Sequence, residues 1–468
     1  MKTYRLKRDI PVEEDFDLVV AGGGPAGCAA AIAAGRLGLR VLLAEAVGCL
    51  GGMGTSGLVS AFNPMADGEQ LLVRGIMEEI VETLYSRGFI ADYITPDSWR
   101  KNLHHWTPFD PEGLKLLLDE LVSDAGVAVR FFTRVIDVDV AAQEKRVNGV
   151  VLQNIEGYRY VPVKAAVDAT GDAVLSALCG VDCREPFRDT PAPMPPTLCS
   201  LFAGIDWEKV PMGGINGGIN PRDEQAAVER AVADKYFSQP DTHLPGMMRL
   251  GRTHAFLNGG HVFHMNALNA KSLSNGMMKG RLLAQEYNSF YRRYMSGFEN
   301  CELMTTASLM GIRESRRIVG EYELNHNDFL ARRQFPDQIG VFANFVDIHP
   351  YECTEEEMNR IDNEVVDKAN WLGEGECFGI PYGIIVPKGW RNLWTAGRCN
   401  SSDVRVHGAI RVQPAAYLMG QAAGTAAAQA VRTGQAACDL DTAELVEALR
   451  AAGCYLPQDS LPDRITRS

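Results

Sequence analysis

The run Leu18 to Gly35, LVVAGGGPAGCAAAIAAG, sets five glycines among alanines directly behind an apolar segment. Glycine weakens helix and strand alike, by roughly 0.5–1 kcal/mol relative to alanine. A run like this therefore persists where bare backbone is needed. Asp15 to Ala21 (DFDLVVA) reads as a buried strand, Pro25 to Leu37 as a helix and Leu39 to Ala44 as a second strand. Together they form a βαβ unit of roughly thirty residues. The turn between the first strand and the helix, Gly22-Gly23-Gly24-Pro25-Ala26-Gly27, fits G-x-G-x-x-G. Gly22 allows the tight turn, Gly24 lets a pyrophosphate approach the backbone, and Gly27 lets the helix lie close on the strand.

The surroundings strengthen that reading. Ala29, Ala30, Ala31, Ala33 and Ala34 make a helix that can pack tightly on a sheet. Its start directs amide hydrogens, and about half a positive charge, at the phosphates. Glu45 ends the second strand, where a carboxylate accepts the two hydroxyls of a ribose and repels a 2′-phosphate. After Ala46, the glycine-rich Gly51-Gly52-Met53-Gly54 suits a nucleotide that continues past its pyrophosphate, as extended FAD does; NAD does not need it. Further on come an apolar strand ending in Ala169-Thr170-Gly171-Asp172, a second ending in Ala396-Gly397-Arg398, and Arg411-Val412-Gln413-Pro414 opening a small-residue helix.

Together these segments resemble the FAD-dependent oxidoreductase family of the two-dinucleotide-binding flavoprotein group, over roughly residues 15 to 455. The resemblance is closest to a bacterial branch marked by the ATGD strand and by AGR…GQAAGTAAA. It implies an α/β fold: a three-layer, Rossmann-like FAD-binding domain with a parallel sheet, carrying an inserted α+β substrate domain. It further implies that Gly22, Gly24, Pro25, Ala26 and Gly27 hold the pyrophosphate. Glu45, with Ala46 after it, takes the adenosine ribose. Gly51, Gly52 and Met53 pass along the ribityl chain and ring, and Val135 offers backbone to the adenine. Thr170 and Gly171 line the adenosine end, and Gly397 and Arg398 meet the pyrophosphate or ribityl. Val412 and Gln413 start the helix that faces the flavin N1–O2 edge. Many members carry an acid where Arg398 stands; an arginine there suits a phosphate instead.

Composition narrows the partners. The formal net charge of -13 argues against a nucleic-acid groove, which needs a Lys/Arg excess. The glycines, Pro25 and Arg36 rule the most apolar run out as a membrane helix, and the N-terminus has no signal-peptide core. Eleven scattered cysteines without a C-x-x-C read as reduced thiols in a cytoplasm. A small-molecule substrate is expected, and homo-oligomerisation is compatible with the chain.

The organisation follows from composition shifts. Residues 12–186 and 378–437 are expected to form the FAD-binding domain, 187–377 the substrate domain, and 438–468 a closing helix and tail. Pro and Gly density between 186 and 225 marks the crossing. The other glycine-rich piece, GGINGG at 213–218, lacks a flanking strand and helix, so no dedicated NAD(P)H domain is evident. Cys49 stands alone after the first βαβ unit, which excludes a disulfide reductase needing a cysteine pair there.

FAD carries the redox chemistry, so the residues sought are those that orient substrate and move protons. His407, just ahead of the last long helix, is the first candidate for acid or base. His264 and Asn266 alternate as on a strand and so share a face. Arg313, Arg316 and Arg317 are read on a helix, where Arg313 serves catalysis and Arg316, with Arg411, clamps a carboxylate. Asp347 and His349 read as a solvated loop or short strand. His104-His105 has no metal-like partner spacing, and no metal is expected. The leading reading is a hydride transfer between flavin N5 and a small polar metabolite bearing a hydroxyl or carboxylate. A flavin monooxygenase using NAD(P)H and oxygen, and a non-enzymatic or RNA-associated flavoprotein, compete with it.

Overall fold

The computed structural model describes residues 3–188, 190–213, 218–243 and 246–457. The opening unit forms as expected: β1 (Phe16–Ala21), α1 (Pro25–Arg36) and β2 (Val41–Ala44). Then come β3 (Ala128–Arg130), β4 (Arg134–Ala141), β5 (Arg146–Asn154) and β6 (Gly157–Asp168). Much later, β7 (Leu393–Thr395) returns to the same sheet. The parallel part has the order β3-β2-β1-β6-β7. The end of β6 lies between β1 and β7, while its first half pairs antiparallel with β5, which pairs with β4.

Side-chain alternation sorts the two faces of this sheet. Leu18 and Val20 of β1 join one core with α1. Val19 and Ala21 join a second core with Val150, Leu152 and Val161 of the antiparallel strands, and Phe16, at the start of β1, joins that core out of alternation. Helices, parallel sheet and meander therefore stack as three layers. On the helical side α1 meets a long helix that follows α2 (Val404–Ile410): α3 (Gln413–Thr433). Their approach is set by glycine. A β-carbon on Gly420 would lie 2.1 Å from the Ala26 carbonyl oxygen, and one on Gly424 2.2 Å from that of Ala30.

A second, antiparallel sheet runs Met247–Arg249, Ala255–Leu257, Ser200–Ala203, Glu302–Thr306. Helices Pro221–Ala233 and Ala270–Tyr294 cover it around Phe202, Ala227, Tyr287 and Phe290. The packing departs from the expected boundary at 377. Leu324, Phe329, Val341, Ile361 and Leu372 lie in the first core, and Gln338–Phe342 pairs with Phe378–Pro381. The apolar side chains of this stretch thus bring it back to the first core well before residue 378. Of GGINGG, Gly214 to Gly217 lie outside the described residues, as do 458–468 of the tail.

Candidate functional site

The turn after β1 is shaped by contacts that tolerate no side chain. Gly22 adopts φ +96°, and a β-carbon on it would lie 2.6 Å from the Ala169 carbonyl oxygen. A β-carbon on Gly27 would lie 1.7 Å from the Gly22 carbonyl oxygen. Gly24 is different: a β-carbon there meets only the Gly52 Cα, at 4.0 Å, so its side of the turn is open. The second glycine segment docks directly on the first. The Gly51 amide donates to the Gly23 carbonyl at 2.8 Å, and a β-carbon on Gly52 would lie 2.9 Å from Gly24 Cα.

Two helix starts converge here. A β-carbon on Gly397 would lie 3.1 Å from Ala26 Cβ and 3.6 Å from Ala416 Cβ, so the first turns of α1 and α3 flank one glycine. Neither Gly24 nor Val412 caps its helix with a side chain; Pro25 occupies the first helical position of α1 and Pro414 the second of α3. Other long helices are capped, by Asp110, Asn220, Asn269, Thr354, Asp403 and Asp441, and the first amide of Ile76–Ser86 donates to Gln421. The uncapped pair leaves amide hydrogens and two positive helix ends beside the open turn, which fits an anionic dinucleotide. Close to the start of α3, Gln413 Oε1, Ser60 Oγ and Thr107 Oγ1 are buried without a partner among the described residues. Gln413 donates through Nε2 to the Val59 carbonyl, so it ties the helix start to that wall.

Glu45 is buried, and its carboxylate accepts from the Gly23 amide at 2.5 Å and the Val47 amide at 2.9 Å. It therefore pins the turn. Burial pushes its carboxyl up, against the backbone donors that pull it down. Val135 has its side chain in the second core and pairs with Leu152. Two residues earlier, the Thr133 amide donates to the Glu45 carbonyl at 2.8 Å. Gly171 lies under Arg398, whose guanidinium is held by Asp172 at 2.7 Å and Ser315 at 2.8 Å. The charge of Arg398, expected to meet the pyrophosphate or ribityl, has a carboxylate partner of its own in Asp172.

The predicted catalytic residues fall in different surroundings. His264 is exposed, with φ +58° on a turn, so the strand that would align it with Asn266 does not form. Asn266 accepts from the Leu268 amide and shapes the loop. Arg313 to Arg316 form no helix; the chain is extended into Arg317–Ile318, which pairs with Cys183–Arg184. Arg316 pairs with Glu185 at 3.1 Å. Arg313 is buried, with Nη1 donating to the Pro195 carbonyl at 2.7 Å and Thr197 Oγ1 at 2.8 Å. His407 is fully buried, with Nε2 3.1 Å from the Arg313 carbonyl oxygen. Burial, then Arg317 and Arg411, hold its imidazole well below the usual range.

Arg411 leads to a cluster that sequence reasoning missed. Placed between α2 and α3, it donates to Asp347 Oδ2 at 2.5 Å. His349 Nε2 lies 3.4 Å from Asp347 Oδ1, and His349 Nδ1 lies 3.0 Å from His261 Nε2. His261 Nδ1 lies 3.0 Å from Asp241 Oδ2. His349 is thus buried and Asp347 half-buried rather than in a solvated loop, because the glycine at 408 lets their backbone lie against α2; a β-carbon there would be 2.6 Å from the Asp347 carbonyl oxygen. Burial works to raise the Asp347 carboxyl, but His349, Arg411 and Arg313 hold it well below the carboxylate range. Burial and Arg411 push the Arg313 guanidinium down to about 10. One sequence signal was available: Asp-x-His occurs at 241–243 and again at 347–349.

Comparisons with known proteins complete the picture. No curated protein matches the chain. Among solved structures, p-nitrophenol 4-monooxygenase PnpA from Pseudomonas putida DLL-E4 is similar at TM-score 0.47 and 9% identity, over 94% of this chain and 89% of that one. GidA from Aquifex aeolicus is similar at TM-score 0.47 and 15% identity, over 93% of this chain and 67% of that one. A geranylgeranyl bacteriochlorophyll reductase-like protein from Thermoplasma acidophilum is similar at TM-score 0.45 and 13% identity, over 94% and 85%. The description of the FAD dependent oxidoreductases matches from residue 17 to residue 449, a span that takes in the glycine turn, both uncapped helices and the buried cluster. The chain belongs to the FAD dependent oxidoreductase family, and FAD is its cofactor.

Proposed function

We propose that this enzyme oxidises, or reversibly dehydrogenates, a small metabolite carrying a carboxylate beside a hydroxyl. One observation carries the reading. Arg313 is buried, Arg411 is 12% exposed at its side chain and lowers the proton affinity of Arg313, and Arg411 holds the Asp347 carboxylate beside the uncapped start of α3. Two guanidiniums held out of water next to a positive helix end favour a further anion. Arg411 Nε has no partner among the described residues and keeps a donor for it.

FAD supplies a two-electron hydride acceptor or donor when bound. The residues assigned to hold it are Gly22, Gly24, Pro25, Ala26 and Gly27, with Glu45, Ala46, Gly51, Gly52 and Met53 following the second strand. Thr170, Gly171, Gly397, Val412 and Gln413 complete the set.

His407 is assigned the proton. The Arg313 carbonyl can only accept, so His407 Nε2 carries the hydrogen and Nδ1 keeps its lone pair. Nδ1 is buried without a partner among the described residues, and burial, with the surrounding arginines, keeps the ring neutral. A neutral imidazole with a free nitrogen can take a hydroxyl proton as that carbon is oxidised. Arg313 is placed to fix the imidazole through its own carbonyl while its side chain is locked on Pro195 and Thr197.

The test is anaerobic titration of the FAD-loaded protein with hydroxy acids and related carboxylates, following bleaching of the oxidised flavin band. Arg411→Met is expected to raise the concentration needed by roughly 100-fold, the loss of one charge-assisted contact. Bleaching by neutral metabolites alone, or none by any carboxylate, would overturn the reading.

A further inference from the structure

We infer that His243, His261 and His349 form a binding site for one divalent transition-metal ion of the zinc or iron(II) class, with Asp241 and Asp347 as its outer carboxylates. The three imidazoles each offer a nitrogen, and these nitrogens lie within 4.8 Å of one another. The inference goes beyond the redox reading and does not depend on it.

Tautomers carry the argument. A carboxylate only accepts, so Asp241 places the hydrogen of His261 on Nδ1, and Asp347 places that of His349 on Nε2. The two remaining nitrogens, His261 Nε2 and His349 Nδ1, then face each other as lone pairs 3.0 Å apart. Two lone pairs at that distance need a positive centre between or beside them. The spacing suits a metal. Two nitrogens each about 2.1 Å from one ion are about 3.0 Å apart at a right angle and about 3.4 Å apart at the tetrahedral angle.

The outer groups match as well. Metal-bound histidines donate their second N–H to a carboxylate, which fixes the ring and raises its basicity. Both buried rings have that partner. Asp241 does more: its Oδ1 accepts from the His243 amide at 3.1 Å, and its Oδ2 lies 3.4 Å from the His261 amide. One side chain thus sets the backbone of two of the three histidines. His243 itself is exposed, with its ring centroid 4.9 Å from that of His261 and 5.2 Å from that of His349. It can close on an ion by a rotamer change.

Charge selects the ion. Three neutral imidazoles and two outer carboxylates balance a dication, although Asp347 is shared with Arg411. Imidazole without thiolate favours zinc, iron, nickel or copper over magnesium or calcium. A three-histidine set leaves a position open for water or for an oxygen of a bound anion.

The experiment uses the FAD-loaded, full-length protein, stripped with a chelator and titrated with Zn2+ by calorimetry, with bound metal counted by mass spectrometry. One equivalent of saturable Zn2+ is expected. Asp241→Asn should weaken it 10- to 100-fold, as loss of an outer carboxylate does. His243→Ala, at an exposed position that does not threaten folding, should weaken it at least 10-fold while the flavin spectrum and melting temperature stay unchanged. His349→Ala should abolish it. The inference fails if neither Zn2+, Co2+ nor Fe2+ binds saturably, which leaves the two facing imidazoles sharing a proton. It fails equally if binding survives His243→Ala undiminished. Neither result touches the flavin-bleaching assay, so the two readings stand or fall separately.

Discussion

The carbonyl oxygen of Gly22 occupies the space that a β-carbon on Gly27 would need, 1.7 Å away. Helix α1 can start where it does because residue 27 has no side chain. Gly24, three residues earlier, has no such neighbour and φ −72°, a value any residue adopts. The two glycines thus separate folding from cofactor binding. Gly27→Ala is expected to destabilise the protein even without FAD, by more than 2 kcal/mol. Gly24→Ala should leave the apoprotein within about 0.5 kcal/mol and weaken FAD at least tenfold. Denaturant melts of the apoprotein, paired with FAD titrations, distinguish them. A Gly24→Ala protein that binds FAD normally would show that the open side of the turn does not face the nucleotide.

Gly420 sets a second contest of magnitudes. Alanine raises intrinsic helix stability by about 1 kcal/mol over glycine. At 420 its β-carbon would lie 2.1 Å from the Ala26 carbonyl, a backbone atom that cannot move aside. Overpacking of that kind costs about 1–3 kcal/mol or more. Gly420→Ala is therefore expected to lower the melting temperature despite its better propensity, and a rise would mean that α1 and α3 are further apart than described.

Arg411 and Asp347 make a charge pair whose halves differ in what they leave behind. Asp347→Ala strands the Arg411 guanidinium, with a side chain only 12% exposed, next to Arg313. The expected loss is about 2–4 kcal/mol. Replacing both, Asp347→Leu with Arg411→Met, should recover at least half of that, because no unpaired charge remains. A double-mutant cycle by urea denaturation measures the coupling, and additive losses would mean that the pair is not coupled.

Glu224 gives a pH dependence with a definite sign. It is buried in the helix Pro221–Ala233 that covers the second sheet, accepts from the Tyr291 hydroxyl at 2.6 Å, and is pushed up to about 7 by burial. A carboxyl raised in the folded state binds its proton more tightly there than in the unfolded chain. Its contribution is present below the ordinary carboxyl value near 4.5 and is lost as pH rises to about 7. The swing is roughly 3 kcal/mol. Glu224→Gln should flatten the stability profile over that range and leave the variant more stable than the parent at pH 8. An unchanged slope between pH 5 and 7 would place the titration elsewhere.

The sequence by itself determined the βαβ front end, the long small-residue helix and the family. Those features are local. Strand and helix periods, the spacing of Gly22, Gly24 and Gly27, and the small-residue run around Gly420 and Gly424 are each written within a few dozen residues, although the contacts that Gly22, Gly420 and Gly424 make, with Ala169, Ala26 and Ala30, are long-range. Tertiary structure alone decided the histidine cluster. His243, His261 and His349 come from three irregular segments with no period to read, and alternation around His261 pointed to His264, which a left-handed turn sends to the surface. The run from Arg313 to Arg317 looked helical from its charges but is extended, because Arg317–Ile318 pairs with Cys183–Arg184. Contacts between residues a hundred positions apart depend on how loops are folded over a finished core, and no local spacing encodes them.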